Sequence, residues 1–199
     1  MPVTYTNRKG RTYYLCQGVT KKGKPRYFFS REQKDNTVDK IPDGYEIRES
    51  VNGTVSLAIS RPIEILENES RAVQTALRGH PKARRYREDV KHNQITIYES
   101  VGPDLMELLP KLTDAMGASP QRKSEIAKLI QEEEHLFSQF TMIMRFILTD
   151  REKRLFKAQR MCFLGSEESW IDIEVDKPIE KLSATLIPML GTPDFFQLF

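Results

Sequence analysis

The sequence predicts an α+β protein on three observations. Runs rich in Tyr, Phe, Thr and Val near the N-terminus are cut by glycine at short intervals. The apolar spacing then changes to a helical one after Pro103. A second set of alternating apolar runs occupies the last part of the chain. The expected order is an N-terminal antiparallel meander carrying a helix, a central helical pair, and a C-terminal antiparallel sheet packed by a helix. At 199 residues, folding removes about 70% of the unfolded surface from water, enough for a sizeable core.

The elements follow in order. Arg8-Lys9-Gly10-Arg11-Thr12-Tyr13-Tyr14-Leu15 recurs 13 residues later as Lys21-Lys22-Gly23-Lys24-Pro25-Arg26-Tyr27-Phe28. Each copy is a glycine turn entering an aromatic strand, so two successive hairpins are expected. Asn52-Gly53 predicts a third, with positive φ at both turn positions, between Tyr45-Glu46-Ile47 and Val55-Ser56-Leu57. A helix is expected from about Asn68, with Ala72, Val73, Ala76 and Leu77 as its stripe and Gly79 and Pro81 as its stop. Residues 84 to 99 return to strand around a His92-Asn93 turn. Leu105, Leu108, Leu109, Leu112 and Met116 share a helical face that Pro110 must kink, and Ser119-Pro120 starts the next helix. Met142, Met144, Phe146 and Leu148 alternate, Asp150 to Lys153 turn the chain, and Ile171, Ile173 and Val175 make a further strand. Asp176 is the expected cap of a helix carrying Ile179, Leu182 and Leu186, and Gly191-Thr192-Pro193 opens a terminal turn. No linker-like tract occurs. The one expected seam is residues 100–104, which divides a basic, β-rich domain (1–100) from an α+β domain (101–199).

The composition is 39% hydrophobic and 30% charged with mean hydropathy −0.53, which excludes a membrane protein of the helical kind. The first residues carry Arg8, Lys9 and Arg11 without an apolar core segment, so no secretory signal is expected. Cys16 and Cys162 stand far apart among hydrophobic neighbours, which fits reduced, buried thiols and a cytoplasmic location. Charge is unevenly divided. Residues 1–92 hold 19 Lys and Arg against 11 Asp and Glu, while residues 93–199 hold 12 against 17. Residues 1–34 carry nine cations and one acid, Glu32, a density that attracts polyanions if the cations share a surface.

Several chemistries can be set aside. His80, His92, His135 and the two cysteines show no zinc-ligand spacing, so no metal is expected. Neither a phosphate-binding loop nor a dinucleotide fingerprint is present, and no cofactor is expected. No nucleophile elbow occurs. Cys162 follows Arg160 by two residues, which places cation and thiol on one strand face; the simpler reading is a small core hydrophobe. A carboxylate pair among Glu46, Glu49, Glu167, Glu168, Asp172 and Glu174 is invisible to spacing alone, because such pairs are defined in space.

The N-terminal strands have a functional shape. Alternation within each strand groups Thr12, Tyr14, Cys16, Pro25, Tyr27 and Phe29 as core-like, and Arg11, Tyr13, Leu15, Lys24, Arg26 and Phe28 as the opposite set. Cations among exposed rings suit phosphate neutralisation and base stacking. The bland alternative is a covered sheet with lysines that keep its edges soluble. Lys82, Arg84, Arg85 and Arg87 form a second basic run. At the C-terminus, Phe195, Phe196, Leu198 and Phe199 either dock on the C-terminal sheet, over Trp170, Met142 and Met144, or present an anchor to another chain.

Ile41-Pro42-Asp43-Gly44-Tyr45-Glu46-Ile47, followed by Glu49-Ser50 and Asn52-Gly53, with Lys24-Pro25-Arg26-Tyr27-Phe28 upstream and Gly79-His80-Pro81-Lys82-Ala83 downstream, resembles a segment recurring in an uncharacterised bacterial protein family. The resemblance covers the first half of the chain and consists of turn and strand patterns. It implies no activity and assigns no site residue. The expected function is therefore a non-enzymatic cytoplasmic binding protein contacting nucleic acid through Arg11, Tyr13, Lys22, Lys24, Arg26 and Phe28. The alternatives are an interaction module using Phe195, Phe196 and Phe199, and an enzyme of unrecognised class.

Overall fold

Asn7, Thr20 and Ser50 each begin a turn that closes in the same way. Their backbone N–H groups donate to the carbonyls of Arg11, Lys24 and Thr54 at 2.9, 2.8 and 2.9 Å, and the N–H groups of Gly10, Gly23 and Gly53 return to the carbonyls of Asn7, Thr20 and Ser50. The side-chain oxygen of each starting residue accepts from the far end of its turn, at 2.9 Å for Asn7 and 3.1 Å for Thr20 and Ser50. The glycines lie at φ +70°, +76° and +77°. This is a three-residue hairpin loop ending in a left-handed glycine bulge. Of the Asn52-Gly53 pair only the glycine has positive φ, because a loop of this length needs one left-handed residue rather than two.

The computed structural model describes residues 1–164 and 167–197, with side chains described outside 131–137, 163–164 and 167–168. It divides into two compact units, Met1–Arg61 with Glu134–Phe137, and Pro62–Glu133 with Ser138–Phe199. In the first, β1 (Thr4–Thr6), β2 (Thr12–Val19) and β3 (Pro25–Ser30) form an antiparallel sheet in that order, and β4 (Tyr45–Glu49) pairs with β5 (Val55–Ile59). Where β1 stops, residues 36–38 take over the same edge of β2, through Gln17 N–H to Asn36 O and Val38 N–H to Leu15 O, both 2.9 Å. Leu15, Cys16, Val51 and Val55 are buried. Asn7 Nδ2 donates to Gly53 O at 2.6 Å and joins the first turn to the third.

The second unit is built on one antiparallel sheet, one face of which is covered by two of its helices. Its helices are α1 (Glu67–Arg78), α2 (Leu105–Ala115), α3 (Pro120–Phe137) as far as Glu133, α4 (Ile179–Leu186) and α5 (Pro193–Phe196). Its strands are β6 (Tyr86–Lys91), β7 (Gln94–Ser100), β8 (Phe140–Asp150), β9 (Leu155–Leu164) and β10 (Glu167–Lys177), in the order β10-β9-β8-β7-β6. The mixed α+β class is as the sequence predicts. Val73 and Leu77 of α1 and Ile179, Leu182 and Leu186 of α4 pack on Ile95, Ile97, Met144, Phe146, Leu148, Phe156 and Ala158. A buried ion pair pins α1: Glu69, 3% exposed, accepts from Leu66 N–H at 2.8 Å and from Arg154 at 2.8 and 2.5 Å. Removing Arg154 costs about 3 kcal/mol, since the Glu69 charge stays buried, whereas Arg154 is itself 29% exposed.

Three expectations are corrected here. The seam expected at 100–104 falls inside this unit, because β7 pairs along its whole length with β8, from Gln94↔Ile147 to Ser100↔Phe140. The compact units divide at Arg61–Pro62 instead. Asp176 does not cap α4: it lies at φ +54° and Pro178 holds the cap position. Met142 is 38% exposed while Met144 is fully buried, because a register shift between Ile97 and Tyr98 interrupts the alternation. No helix among the described residues is long and apolar enough to cross a membrane.

Candidate nucleic-acid interface

The end of the hairpin of β2 and β3 carries four cations in six residues, Lys21 to Arg26, and the register decides which side chains act together. Tyr14 pairs with Ser30, Cys16 with Phe28 and Gly18 with Arg26; Leu15 pairs with Phe29, Gln17 with Tyr27 and Val19 with Pro25. Residues directly opposite in an antiparallel pair share a face. Lys24, Arg26 and Phe28 therefore stand on the face of Tyr14 and Cys16, while Arg11 and Tyr13 stand on the other, with Leu15. The single patch expected from strand-by-strand alternation is split between the two faces. The cause is the odd loop of three residues, Lys21 to Gly23: a one-residue change in loop length exchanges every side chain of β3 between faces.

The two faces have different surroundings. The face of Tyr13 and Leu15 meets the β4–β5 hairpin: Tyr5 donates to Glu49 Oε2 at 3.0 Å, and the Tyr27 ring lies 6.4 Å from that of Tyr45. Glu49 also accepts from the Arg8 backbone N–H at 3.0 Å and from Arg8 Nε at 2.8 Å. Burial pushes the Glu49 carboxyl up, yet those hydrogen bonds together outweigh it and hold its pKa below the ordinary carboxylate value. The same bond to Glu49 raises the Tyr5 phenol. On the opposite face Phe28 is half-buried and lies beneath Lys34, whose Nζ is 5.9 Å from the ring centre. Tyr13 is half-buried as well. Neither Tyr13 nor Phe28 is the open stacking ring that the sequence suggested.

What remains open is the end of the hairpin. Every residue from Val19 to Arg26 is exposed, and Lys21, Lys22, Lys24 and Arg26 take neither an ion pair nor a side-chain hydrogen bond among the described residues. Arg11 is also exposed and unpaired. Arg8, Lys40 and Arg48 of this unit are engaged, with Glu49, Asp43 and Glu46, whereas Arg31 and Arg61 stand exposed and singly, away from the turn. The second basic run is spent too. Lys82 pairs with Glu107 at 2.9 Å, Arg84 with Asp104 at 3.3 Å and Arg85 with Glu99 at 3.5 Å, and Arg87 lies over the Phe140 ring. Lys21, absent from the contacts the sequence suggested, is exposed beside Lys22 and belongs to the same cluster.

The other candidates resolve individually. Phe195 is 3% exposed inside the core of the second unit, so it is no partner anchor. Phe196, 60% exposed, stacks edge-on against it, and Phe199 lies outside the described residues. The described acids do not meet as a carboxylate pair. Glu46 is held by Arg48 and Ser60, Glu174 by Lys177, and Asp172 by Gln159 at 2.5 Å and Lys157 at 3.3 Å. Glu167 and Glu168 fall outside the described side chains. Spacing gave no sign of a polar row across the sheet face away from α1 and α4. Asp89, Thr96, Arg145, Gln159 and Asp172 are consecutive cross-strand partners over five strands. Arg145 donates to Gln159 at 2.7 Å and covers the Trp170 ring at 4.1 Å, so Trp170 supports this row rather than a C-terminal docking site. Among the described residues no group of three or more His, Cys, Asp or Glu is placed to hold a metal ion. Comparison of the chain with protein-family models, curated proteins and solved structures gives no match in any of the three.

Proposed function

We propose that the protein binds nucleic acid through the end of the β2–β3 hairpin, with Lys21, Lys22, Lys24 and Arg26 as the contacts. One observation carries the reading: eight consecutive exposed residues hold four unpaired cations, and the chain contains no acid before Glu32. A polyanion supplies the missing counter-charge, and release of its condensed ions drives association. Phosphate contacts of this kind position a protein without reading sequence. Tyr13 drops out of the contact set because it is half-buried on the face that meets β4 and β5, and Arg11, though exposed, because it stands on that face and not with Lys24 and Arg26. The reading is of a binding protein rather than an enzyme.

The test is a titration of a labelled mixed-sequence oligonucleotide at several salt concentrations. Four phosphate contacts give roughly a 100-fold loss of affinity between about 50 and about 200 mM salt. Lys22→Glu, Lys24→Glu and Arg26→Glu together abolish binding, and the fold survives because all three side chains are exposed. Lys82→Glu, at an already paired cation, leaves affinity unchanged. Full binding by the triple variant, or no binding by the wild type at low salt, overturns the proposal.

A further inference from the structure

Resting on that reading, we infer that the nucleic acid is a duplex, bound in a groove and bent there by an apolar pair, Val19 and Pro25, at the end of the ribbon. Single strands are held mainly by rings on which bases stack, and no aromatic residue lies between Val19 and Arg26. The rings further along the hairpin are half-buried: Tyr27 packs near Tyr45, and Phe28 lies under Lys34. A stacking platform is therefore missing where the free cations are.

A duplex suits what is present. Two-stranded ribbons enter duplex grooves, and an apolar pair at the tip of one acts as a wedge from the minor groove. Pairing runs in register from Tyr14↔Ser30 to Val19↔Pro25, so the ribbon enters a groove already ordered. Its end has two unlike faces. Lys24 and Arg26 stand on one. Val19 and Pro25, directly opposite each other, stand on the other, beyond the reach of the Tyr27–Tyr45 contact that covers this face nearer the core. Val19 is 73% exposed and Pro25 is exposed. An apolar pair at the end of a cationic ribbon gains little from water and much from base edges. Wedges of this type unstack a base step while neighbouring cations hold the backbone, and the duplex kinks.

The experiment measures the affinity of the full chain for a short duplex and for one of its strands, and the distance between the duplex ends by energy transfer. The expected result is at least a roughly tenfold preference for duplex and a shortened end-to-end distance. Val19→Ser removes the shortening and keeps the salt dependence. It changes one exposed side chain, and a melting curve checks that the fold is retained. Equal affinity for single strand and duplex overturns the duplex inference and leaves the binding reading intact. Duplex preference without shortening, or shortening that survives Val19→Ser, overturns the wedge. No binding to either form at low salt overturns the underlying reading itself. Heparin matching the duplex in affinity and in its response to Val19→Ser likewise overturns the groove.

Discussion

Glu49 carries the junction between the first turn and β4 on a single carboxylate, which receives the Tyr5 hydroxyl, the Arg8 backbone N–H and the Arg8 guanidinium. Its side chain is only 10% exposed, so the ionised form is stabilised by the folded state's donors and has none of them in the unfolded chain. The folded pKa is depressed, and linkage then fixes the sign. The contribution to stability is complete above the ordinary Glu value of about 4.3 and is lost as pH falls through the lower folded value. Thermal melts followed on the N-terminal unit between about pH 5 and about pH 3 should fall more steeply for the wild type than for Glu49→Gln. Parallel curves would show that Glu49 stays protonated or unpartnered in the fold. Spacing could not have distinguished this residue from Glu46, three residues earlier in the same strand, because what sets Glu49 apart is a partner 41 residues distant.

At the scale of elements, the turns were legible and the faces were not. Gly10, Gly23 and Gly53 announced three turns through the one property glycine supplies, positive φ. The strands between them followed from their aromatic and β-branched content. Which face of β3 meets which face of β2 depends on whether the loop closes at Thr20–Lys24 or one residue tighter, and both closures place glycine acceptably. That ambiguity of one residue turned a split pair of faces into an expected single patch. The turns themselves offer a graded test. A Cβ at Gly23 meets nothing within 4 Å, whereas one at Gly53 lies 3.1 Å from Asn7 Nδ2, inside the contact that joins two turns. Gly23→Ala should cost about 1–2 kcal/mol from left-handed backbone strain alone. Gly53→Ala should cost about 2–3 kcal/mol, since a buried hydrogen bond is strained as well. Urea denaturation of both variants checks the order; equal losses would mean that the Asn7 contact contributes nothing.

At the scale of the molecule, charge and apolar burial are distributed oppositely. Residues 1–61 hold 12 Lys and Arg against 6 Asp and Glu, and residues 62–199 hold 19 against 22. The large apolar cluster lies in the second unit, built on Phe146, Phe156, Ile95, Ile97 and the two helices that cover them. The first unit buries Leu15, Cys16, Val51 and Val55 and relies on hydrogen bonds between turns. The division at Arg61–Pro62 escaped the sequence reading because no linker composition marks it, and because the β6–β7 hairpin looks like a continuation of the N-terminal meander until β8 is known to pair with it. Small apolar cores open at lower free energy than large ones. Hydrogen exchange in low denaturant should therefore show two levels. The amides of β8 and β9, such as Phe146 and Ala158, should exchange only through global unfolding, with the full denaturant slope. Leu15, which donates to Val3 O, and Val38, which donates to Leu15 O, should exchange through a smaller opening with a smaller slope. Such an opening puts the proposed binding element on the unit that is cheaper to rearrange around a ligand. Neither the opened nor the globally unfolded state keeps that element, so a saturating duplex should slow Leu15, Val38 and Phe146 by the same factor. A single common free energy for all four amides without ligand would show that the units unfold as one.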